Sequence, residues 1–329
     1  MNGMKTGRWL AAASVLITAF SAGGPAMAQA AYPSRAVTLI VPYPAGGGSD
    51  NVARLVAKQL AQEIGQTVVV ENRGGAGGNI GTRLIAQAKP DGYTIGLATP
   101  GPVSVGESLY SNLSYDPERD LEPVVLLNES PLVMAVHPGR GVRTMAEFDR
   151  WLAGLGREAN AAIGGTGSVN HLVTELYRQV SGKSILNVPY KGGAEAVTDT
   201  IAGHTDLLFI PLSAVLGPAK AGQLTPLFLT VDARSKLLPD VPAAPEVGLG
   251  RVIGSAWNGI VAPKGTPADI VVRLNSALNT VLRQPETRAA FDAQGMVAKG
   301  GSAEDFRAFI KADADKWRGV IQNSNIEKL

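Results

Sequence analysis

The sequence predicts an α/β protein of two lobes, each built around a sheet of mainly parallel strands. After Pro33, short β-branched runs alternate with longer amphipathic stretches, and strands that alternate with helices are typical of parallel sheets. A second block of the same kind spans residues 161–230, and only helical patterns follow Pro267. We infer that the chain leaves a first lobe, builds a second and then returns to the first, and its length also favours two domains.

Hydrophobic spacing predicts the individual elements. Val52, Val56 and Leu60 share one helical face in the first block, and Leu172 and Leu176 do so in the second. The predicted strands are 37–41, 67–70, 94–98, 124–127, 132–136, 161–164, 185–188, 207–210 and 226–230, and the terminal helices are 269–282, 286–294 and 303–321. The predicted division is a signal peptide at 1–28, a first lobe of 29–130 plus 256–329 and a second lobe of 131–255, with crossings near 129–131 and 255–261.

The first 28 residues have the order of a secretory signal peptide. Lys5 and Arg8 precede an apolar run from Trp9 to Phe20, and the segment ends in Ala-Met-Ala at Ala28. The alternative is a membrane anchor, but the run is well short of the roughly 20 residues that a bilayer span needs. We therefore expect export to the periplasm and cleavage after Ala28. Because the chain has no cysteine, neither lipid attachment nor disulfides can hold the exported protein.

Charge and composition exclude a nucleic-acid partner. Without Lys5 and Arg8, the 30 basic residues fall to the number of the 28 acidic residues. There is no basic run, and aromatic residues make up only 5% of the chain. The expected partners are small molecules or another protein.

The most informative motif is Tyr-Pro-Ala-Gly-Gly-Gly-Ser-Asp at 43–50, between a buried strand and an amphipathic helix. Glycines let backbone N–H groups approach a ligand, and the helix start adds partial positive charge. The pattern therefore predicts an anion site. Ser49 can cap the helix, and Asp50 can pair with Arg54 one turn later. For Asp50 this structural role is favoured over a ligand contact.

Three further glycine-rich turns precede helices, at 72–79, 164–168 and 190–193. The first turn lacks the spacing and lysine of a phosphate-binding loop, and its dinucleotide fingerprint is also incomplete, because Gly46-x-Gly48 is not followed by a third glycine at the required distance. With two turns in each block, both lobes can direct helix N-termini at one cleft, where open α/β sheets bind their ligands. The alternative is that the glycines only make tight turns.

A catalytic site is poorly supported. Ser168 and His171 are three residues apart on one helical turn, but the sequence offers no acidic residue to orient the histidine, and no nucleophile elbow is present. The histidines and carboxylates lack the spacing of metal ligands. We expect no enzyme activity, no metal and no cofactor. Trp257 either lines the cleft or packs in the core.

The motifs at 43–50, 71–81, 165–171 and 188–193, followed by 238–242 and 257–267, resemble the Bug family of extracytoplasmic receptors of tripartite tricarboxylate transporters. The resemblance implies a type II periplasmic binding fold in which the first loop grips a carboxylate through backbone amides and ordered waters. It also implies a monomer that works with the membrane subunits of the transporter. The ligand-binding residues predicted from the glycine turns and this resemblance are Tyr43, Ala45, Gly46, Gly47, Ser49, Asp50, Gly77, Gly78, Asn79, Thr166, Gly167, Ser168, His171, Tyr190, Gly192 and Ile210.

One departure from the family pattern concerns Ile210, which stands where many members carry a polar residue. If this position faces the cleft, it disfavours an amino-acid ligand and favours an apolar or aromatic acid. The leading hypothesis is a receptor that closes on a small organic carboxylate and delivers it to the transporter. The alternatives are a receptor that signals to a partner protein and a periplasmic serine hydrolase that uses Ser168 and His171.

Overall fold

The computed structural model describes residues 1, 32–324, 326 and 328–329. The predicted signal peptide lies outside these residues except for Met1, and it stays a prediction. Tyr32–Leu329 form one compact unit. Within the described residues, no helix is both long and apolar enough to cross a membrane.

Ten strands and eleven α-helices build this unit. The strands are β1 Val37–Val41, β2 Val68–Asn72, β3 Thr94–Ala98, β4 Leu121–Val136, β5 Ala159–Ile163, β6 Ile185–Pro189, β7 Leu207–Pro211, β8 Thr225–Leu229, β9 Ser255–Pro263 and β10 Val297–Ala298. The helices are α1 Gly48–Ile64, α2 Asn79–Ala86, α3 Gly106–Leu109, α4 Pro117–Asp120, α5 Met145–Ala153, α6 Val169–Ser181, α7 Gly193–Ile201, α8 Leu212–Lys220, α9 Ala268–Arg283, α10 Pro285–Asp292 and α11 Ala303–Gln322.

The sheet order is β2-β1-β3-β9-β4-β7-β5-β6, and β8 and β10 also pair with β4. The pairs among β1, β2 and β3 and among β5, β6 and β7 are parallel, as predicted. The pairs made by the two longest strands, β4 and β9, are antiparallel. The architecture is therefore the predicted two-lobed α/β fold, but with antiparallel strands at its centre.

Two separate strands were predicted where the structure has the single strand β4, so that prediction is wrong. The polar residues Asn128, Glu129 and Ser130 interrupt the hydrophobic pattern, but they pair with β9 in register. From Leu132 onward β4 pairs with β7 instead of β9. This change of partner supports our proposal that residues 29–130 plus 256–329 form one lobe and residues 131–255 the other.

Helix faces in both blocks pack as the spacing predicts. Val52, Val56 and Leu60 of α1 are almost fully buried against the strands of the first block. Leu172 of α6 is fully buried in a core that also contains Trp317 near the end of α11. Each such aliphatic side chain contributes about 1.5–3 kcal/mol when it leaves water. The end of α11 thus packs with residues of the second block, although the sequence assigns its whole length to the first lobe.

Candidate ligand-binding cleft

The glycine-rich turns meet at a cavity of about 590 Å³. Residues that follow β1, β2, β3, β5 and β6 line it, together with residues from β9, α3 and α6. The lining residues are Tyr43, Pro44, Ser49, Gly75, Gly77, Gly78, Thr99, Pro100, Gly101, Leu109, Tyr110, Gly164, Gly165, Thr166, Gly167, Ser168, Val169, Asn170, Lys191, Gly192, Gly193, Ala256, Trp257 and Asn258. All four glycine turns therefore contribute to one site.

A second cavity, of about 490 Å³, lies along α11. None of the predicted site residues lines it. Several of its charged side chains pair with one another, such as Lys311 and Arg318 with Asp315. We therefore place the candidate site in the cavity between the glycine turns.

Eight of the sixteen predicted site residues line this cavity and eight do not. Those that line it are Tyr43, Ser49, Gly77, Gly78, Thr166, Gly167, Ser168 and Gly192. Ala45, Gly46 and Gly47 lie beside it and are exposed to solvent. The other five are Asp50, Asn79, His171, Tyr190 and Ile210; all are wholly or partly buried and are in contact with protein groups.

Asp50 braces the first loop from within. Its Oδ2 accepts from the Gly46 backbone N–H at 2.8 Å and from Arg54 Nε at 2.9 Å, and its Oδ1 accepts from Asn72 Nδ2 at 2.9 Å. The bond from Arg54, with those from Gly46 and Asn72, lowers the pKa of Asp50 to about 2. The Asp50 carboxylate therefore accepts the hydrogen bond of the Gly46 N–H, which the sequence analysis had assigned to a ligand. This geometry supports the structural role of Asp50.

Ser49 does not cap α1, contrary to the sequence prediction. The helix begins at Gly48, its N-cap is Gly47, and no side chain accepts a cap hydrogen bond there. Instead, Ser49 Oγ donates to Asn258 Oδ1 on β9 at 3.1 Å. The uncapped first turn of α1 retains N–H groups that a ligand can use.

The second glycine turn packs closely against tyrosine hydroxyls. Gly77 and Gly78 both have positive φ, and a Cβ at these positions would lie 3.0 Å from Tyr110 Oη and 3.2 Å from Tyr43 Oη, respectively. Tyr43 shares a 2.7 Å hydrogen bond with Thr99. Burial raises the pKa of Tyr43, which keeps this phenol neutral. Asn79, by contrast, accepts a hydrogen bond from buried Tyr115.

The turn that follows β5 contacts α3 across the cavity. Gly167 has a φ of +75°, and a Cβ there would lie only 1.9 Å from Leu109 Cδ2. Only glycine fits this position, both for its backbone conformation and for this close approach. Ser168 is the N-cap of α6 and accepts from the His171 backbone N–H at 3.3 Å.

His171 supports this turn from below. Its Nδ1 accepts from the Gly167 N–H at 3.1 Å, and its Nε2 faces Glu175 at 4.0 Å. An acidic neighbour is therefore present, contrary to the sequence analysis, but Glu175 also binds Arg178 and Asn187. Burial lowers the pKa of His171 and keeps the imidazole neutral. With Nδ1 engaged by a backbone amide, the imidazole is not placed to activate the hydroxyl of Ser168.

Tyr190 and Ile210 lie behind the cavity wall. The Tyr190 hydroxyl donates to Asp199 at 2.6 Å, and burial raises its pKa to about 12. Ile210 is 3% exposed in a hydrophobic core, with its Cδ1 beneath Gly193. Because Ile210 does not line the cavity, it gives no ground for inferring the kind of acid that binds.

Trp257 has both roles that the sequence left open, because it is among the lining residues and also packs in the core. Its ring is 1% exposed and packs edge-on against Phe306 and Phe309. Its Nε1 donates to Asp313 at 2.9 Å. Trp257 therefore anchors β9 to α11 beside the cavity.

The cavity suits an anion. Lys191 is the one charged residue among those that line it. Helices α1 and α7 begin beside the cavity without a side-chain cap, and α6 begins there with only Ser168 as its cap. Helix N-termini and uncapped backbone amides attract negative charge. Among the described residues, no cluster of histidine and acidic side chains could hold a metal ion.

Sequence reasoning missed several lining residues. Thr99, Leu109, Tyr110 and Asn258 come from segments without glycine motifs. Lys191 lies inside the fourth turn, but it was not selected. A signal existed only for Lys191, because a lysine between a strand and an uncapped helix start is a ready anion contact.

The fold and cleft define a solute-binding receptor of the periplasmic binding protein class. Residues 52–326 match the family described as tripartite tricarboxylate transporter family receptor. The chain is 34% identical to the protein BugT of Bordetella pertussis over 322 residues, which is 98% of each chain. The structure of Rpa4515 from R. palustris with adipate superposes with a TM-score of 0.83, at 32% identity over 91% of this chain and 100% of that one. The structure of MatC from Rhodopseudomonas palustris with bound malate superposes with a TM-score of 0.78, at 29% identity over 88% of this chain and 100% of that one.

The chain belongs to the family of tripartite tricarboxylate transporter receptors. The description of this family names receptors, and a further similar structure is that of the periplasmic binding protein BugD.

Proposed function

We propose that this protein is exported by its first 28 residues, captures a small organic carboxylate in the periplasm as a monomer, and delivers it to the membrane subunits of a tripartite tricarboxylate transporter. It binds and releases its ligand without a chemical step, a metal or a cofactor. The observation that carries this proposal is the meeting of two uncapped helix starts, those of α1 and α7, at one cavity where Lys191 alone is charged among the described lining residues.

Each part of the cavity has a distinct task in this mechanism. The first turn of α1, with Ser49, binds one carboxylate through N–H and O–H donors. Lys191 and the start of α7 stabilise negative charge at the opposite side. Closure of the lobes about β4 and β9 removes the ligand from water, and ligand binding stabilises the closed state by population shift. The adipate and malate bound to the two related structures support a carboxylate of this size.

The two alternatives from the sequence are less well supported. A serine hydrolase needs a base aimed at its nucleophile, whereas His171 Nδ1 accepts from the Gly167 amide. A purely signalling receptor is not favoured by membership of a transporter-receptor family.

A thermal-shift screen of mono-, di- and tricarboxylates tests the proposal. A ligand at 100 times its Kd stabilises the native state by about 2.7 kcal/mol, which a melting curve detects. We expect at least one carboxylate to raise the Tm and neutral sugars or cations to leave it unchanged. A shift by those compounds with none from any carboxylate would overturn the proposal.

Gly47 offers a matched pair of variants for the same test. Its backbone is extended, at φ −81° and ψ 171°, and the nearest atom to an added Cβ is 3.9 Å away. Aspartate and asparagine are both preferred at N-caps, so neither variant should unfold the protein. Gly47→Asp places a negative charge at the anion site and should abolish binding, whereas Gly47→Asn, which can cap the same amides but adds no charge, should weaken it much less. Equal binding by the two variants would mean that the first loop does not hold the carboxylate.

A further inference from the structure

Asn258 occupies the point where the cavity meets the two central strands. It lies on β9, lines the cavity and is only 7% exposed. Its partner in the β4–β9 register is Asn128. Asn258 is therefore in contact both with the ligand space and with the strand that passes from one part of the sheet to the other.

A short chain of hydrogen bonds runs through Asn258. Ser49 Oγ donates to Asn258 Oδ1 at 3.1 Å, and Asn258 Nδ2 donates to Asn128 Oδ1 at 3.0 Å. The Asn128 side chain is fully buried, and its Nδ2 has no hydrogen-bond acceptor within the part of the chain that the structure describes. The chain thus begins at a residue that lines the cavity and ends at an unpaired donor beneath it.

The direction of this chain conflicts with carboxylate binding at Ser49. A serine hydroxyl has one proton, and an ionised carboxylate only accepts hydrogen bonds. Ser49 therefore cannot donate to Asn258 and to a carboxylate at the same time. If the Ser49 hydroxyl donates to the ligand instead, Asn258 Oδ1 loses its hydrogen-bond donor.

We propose that carboxylate binding reverses the chain, and that Asn258 is the residue that positions the Ser49 hydroxyl. In the bound state Asn258 Nδ2 donates to Ser49 Oγ, the Ser49 hydroxyl donates to the ligand, and Asn128 Nδ2 donates to Asn258 Oδ1. The amide oxygen and nitrogen of asparagine have nearly the same shape, so the side chains turn over without repacking. This inference rests on the proposed function.

The ligand favours the reversal. Without it, a reversed chain would leave only water to accept the Ser49 proton. With it, the hydroxyl makes a charge-assisted hydrogen bond, and the buried amide of Asn128 donates one hydrogen bond in place of the one it accepted. Binding in the cavity is thereby transmitted to β4, about which the lobes are proposed to close.

Calorimetric titration with adipate, malate and the rest of the carboxylate panel tests the reversal. We expect Asn258→Leu and Ser49→Ala each to weaken binding about tenfold, the effect of one lost hydrogen bond. The double variant should be no more than about twofold weaker than the worse single variant, because the two residues act as one unit. Asn128→Leu should weaken binding about three- to tenfold although Asn128 does not line the cavity. The control is Ser255→Ala, which removes a 2.8 Å hydrogen bond to Glu129 across the same strands and should leave the Kd within about twofold.

The outcomes separate this inference from the proposed function. If the wild-type protein binds no carboxylate, the proposed function fails and this inference fails with it. If it binds one and Asn128→Leu leaves the Kd unchanged, or the double variant shows the product of the single effects, only the inference is overturned. If a leucine variant melts at a lower temperature than the wild type, NMR of the wild type labelled with ¹⁵N-asparagine gives the test instead. The two side-chain amide proton signals of Asn128 must then shift on ligand binding, whereas those of Asn275 on α9, whose Nδ2 donates to the Val124 carbonyl, must not. Unshifted Asn128 signals would refute the reversal.

Discussion

The brace formed by Asp50 makes the most quantitative prediction. Asp50→Asn removes the charge that binds Arg54 and holds the Gly46 amide. It also turns an amide group toward the Nδ2 of Asn72, where the carboxylate now accepts a hydrogen bond at 2.9 Å. The variant keeps the size of the side chain, so its effect reports the charge and the hydrogen bonds rather than packing.

The magnitude follows from the pKa of Asp50. A fall of this pKa from the ordinary aspartate value of 3.8 to about 2 corresponds to a little over 2 kcal/mol of stability at neutral pH. Arg54 is about half exposed, so solvent screens part of its attraction to Asp50. We therefore expect Asp50→Asn to lower the free energy of unfolding by about 1–2 kcal/mol. Because the folded pKa lies below the unfolded one, this stabilisation is present above about pH 4 and is lost as the pH falls toward 2.

Thermal unfolding of both proteins at several pH values checks this. At pH 7 the variant should melt roughly 2–3 °C below the wild type, and the difference should shrink as the pH falls below 4. The control is Asp269→Asn, which removes an exposed carboxylate from the first turn of α9 and isolates the general effect of the helix dipole. A Tm difference for Asp50→Asn that is no larger than for Asp269→Asn, or that does not depend on pH, would refute the reasoning.

Three further predictions concern the cavity wall. Gly167→Ala combines a φ of +75° with a Cβ only 1.9 Å from a leucine methyl, so we expect thermal unfolding to show a loss of about 2–4 kcal/mol in stability. The control Gly222→Ala, at a φ of +67° with open space around it, should cost only about 1 kcal/mol. Equal losses in the two variants would contradict the close contact. Burial lowers the pKa of His171, so ligand affinity by calorimetry should be constant around neutral pH and fall only in acid, when the gained proton prevents Nδ1 from accepting from the Gly167 amide. An affinity that already falls between pH 8 and 7 would contradict a neutral imidazole as the support of this turn. Lys191→Gln should weaken the binding of dicarboxylates about five- to tenfold and the binding of matched monocarboxylates less than about twofold. The control is Lys220→Gln, which changes an exposed lysine. An equal loss of affinity for both ligand classes would contradict a second charge contact at Lys191.

Local sequence patterns determined the elements whose cause is local. The 3.6-residue spacing of Val52, Val56 and Leu60 predicted the buried face of α1, because a helix places these residues on one side whatever it packs against. The Asp50–Arg54 pair was also predictable, since its members are one helical turn apart. The glycine turns were recognisable because positive φ and close backbone approach have a residue signature.

Tertiary structure alone decided the features that join distant segments. The polar residues Asn128 to Ser130 appeared to end a strand, yet pairing with β9 continues it, and a partner more than 120 residues away leaves no trace in local spacing. Ile210 was assigned to the cleft from its position in a motif, but the sheet places it beneath Gly193. Ser49 was assigned to its own helix as a cap, but Asn258 receives its hydrogen bond.

The sequence by itself thus determined the class of the fold, the helix starts that favour an anion and the Asp50–Arg54 pair, because alternating local patterns, helix starts and i,i+4 pairs all involve residues that are close together in the chain. The tertiary structure decided which of those residues reach the cavity, how Leu109 and Gly167 meet across it, and how Ser49 connects to β4 through Asn258. These contacts depend on the relative placement of whole strands and helices, and that placement is set by burial and pairing across the chain rather than by the identity of neighbouring residues.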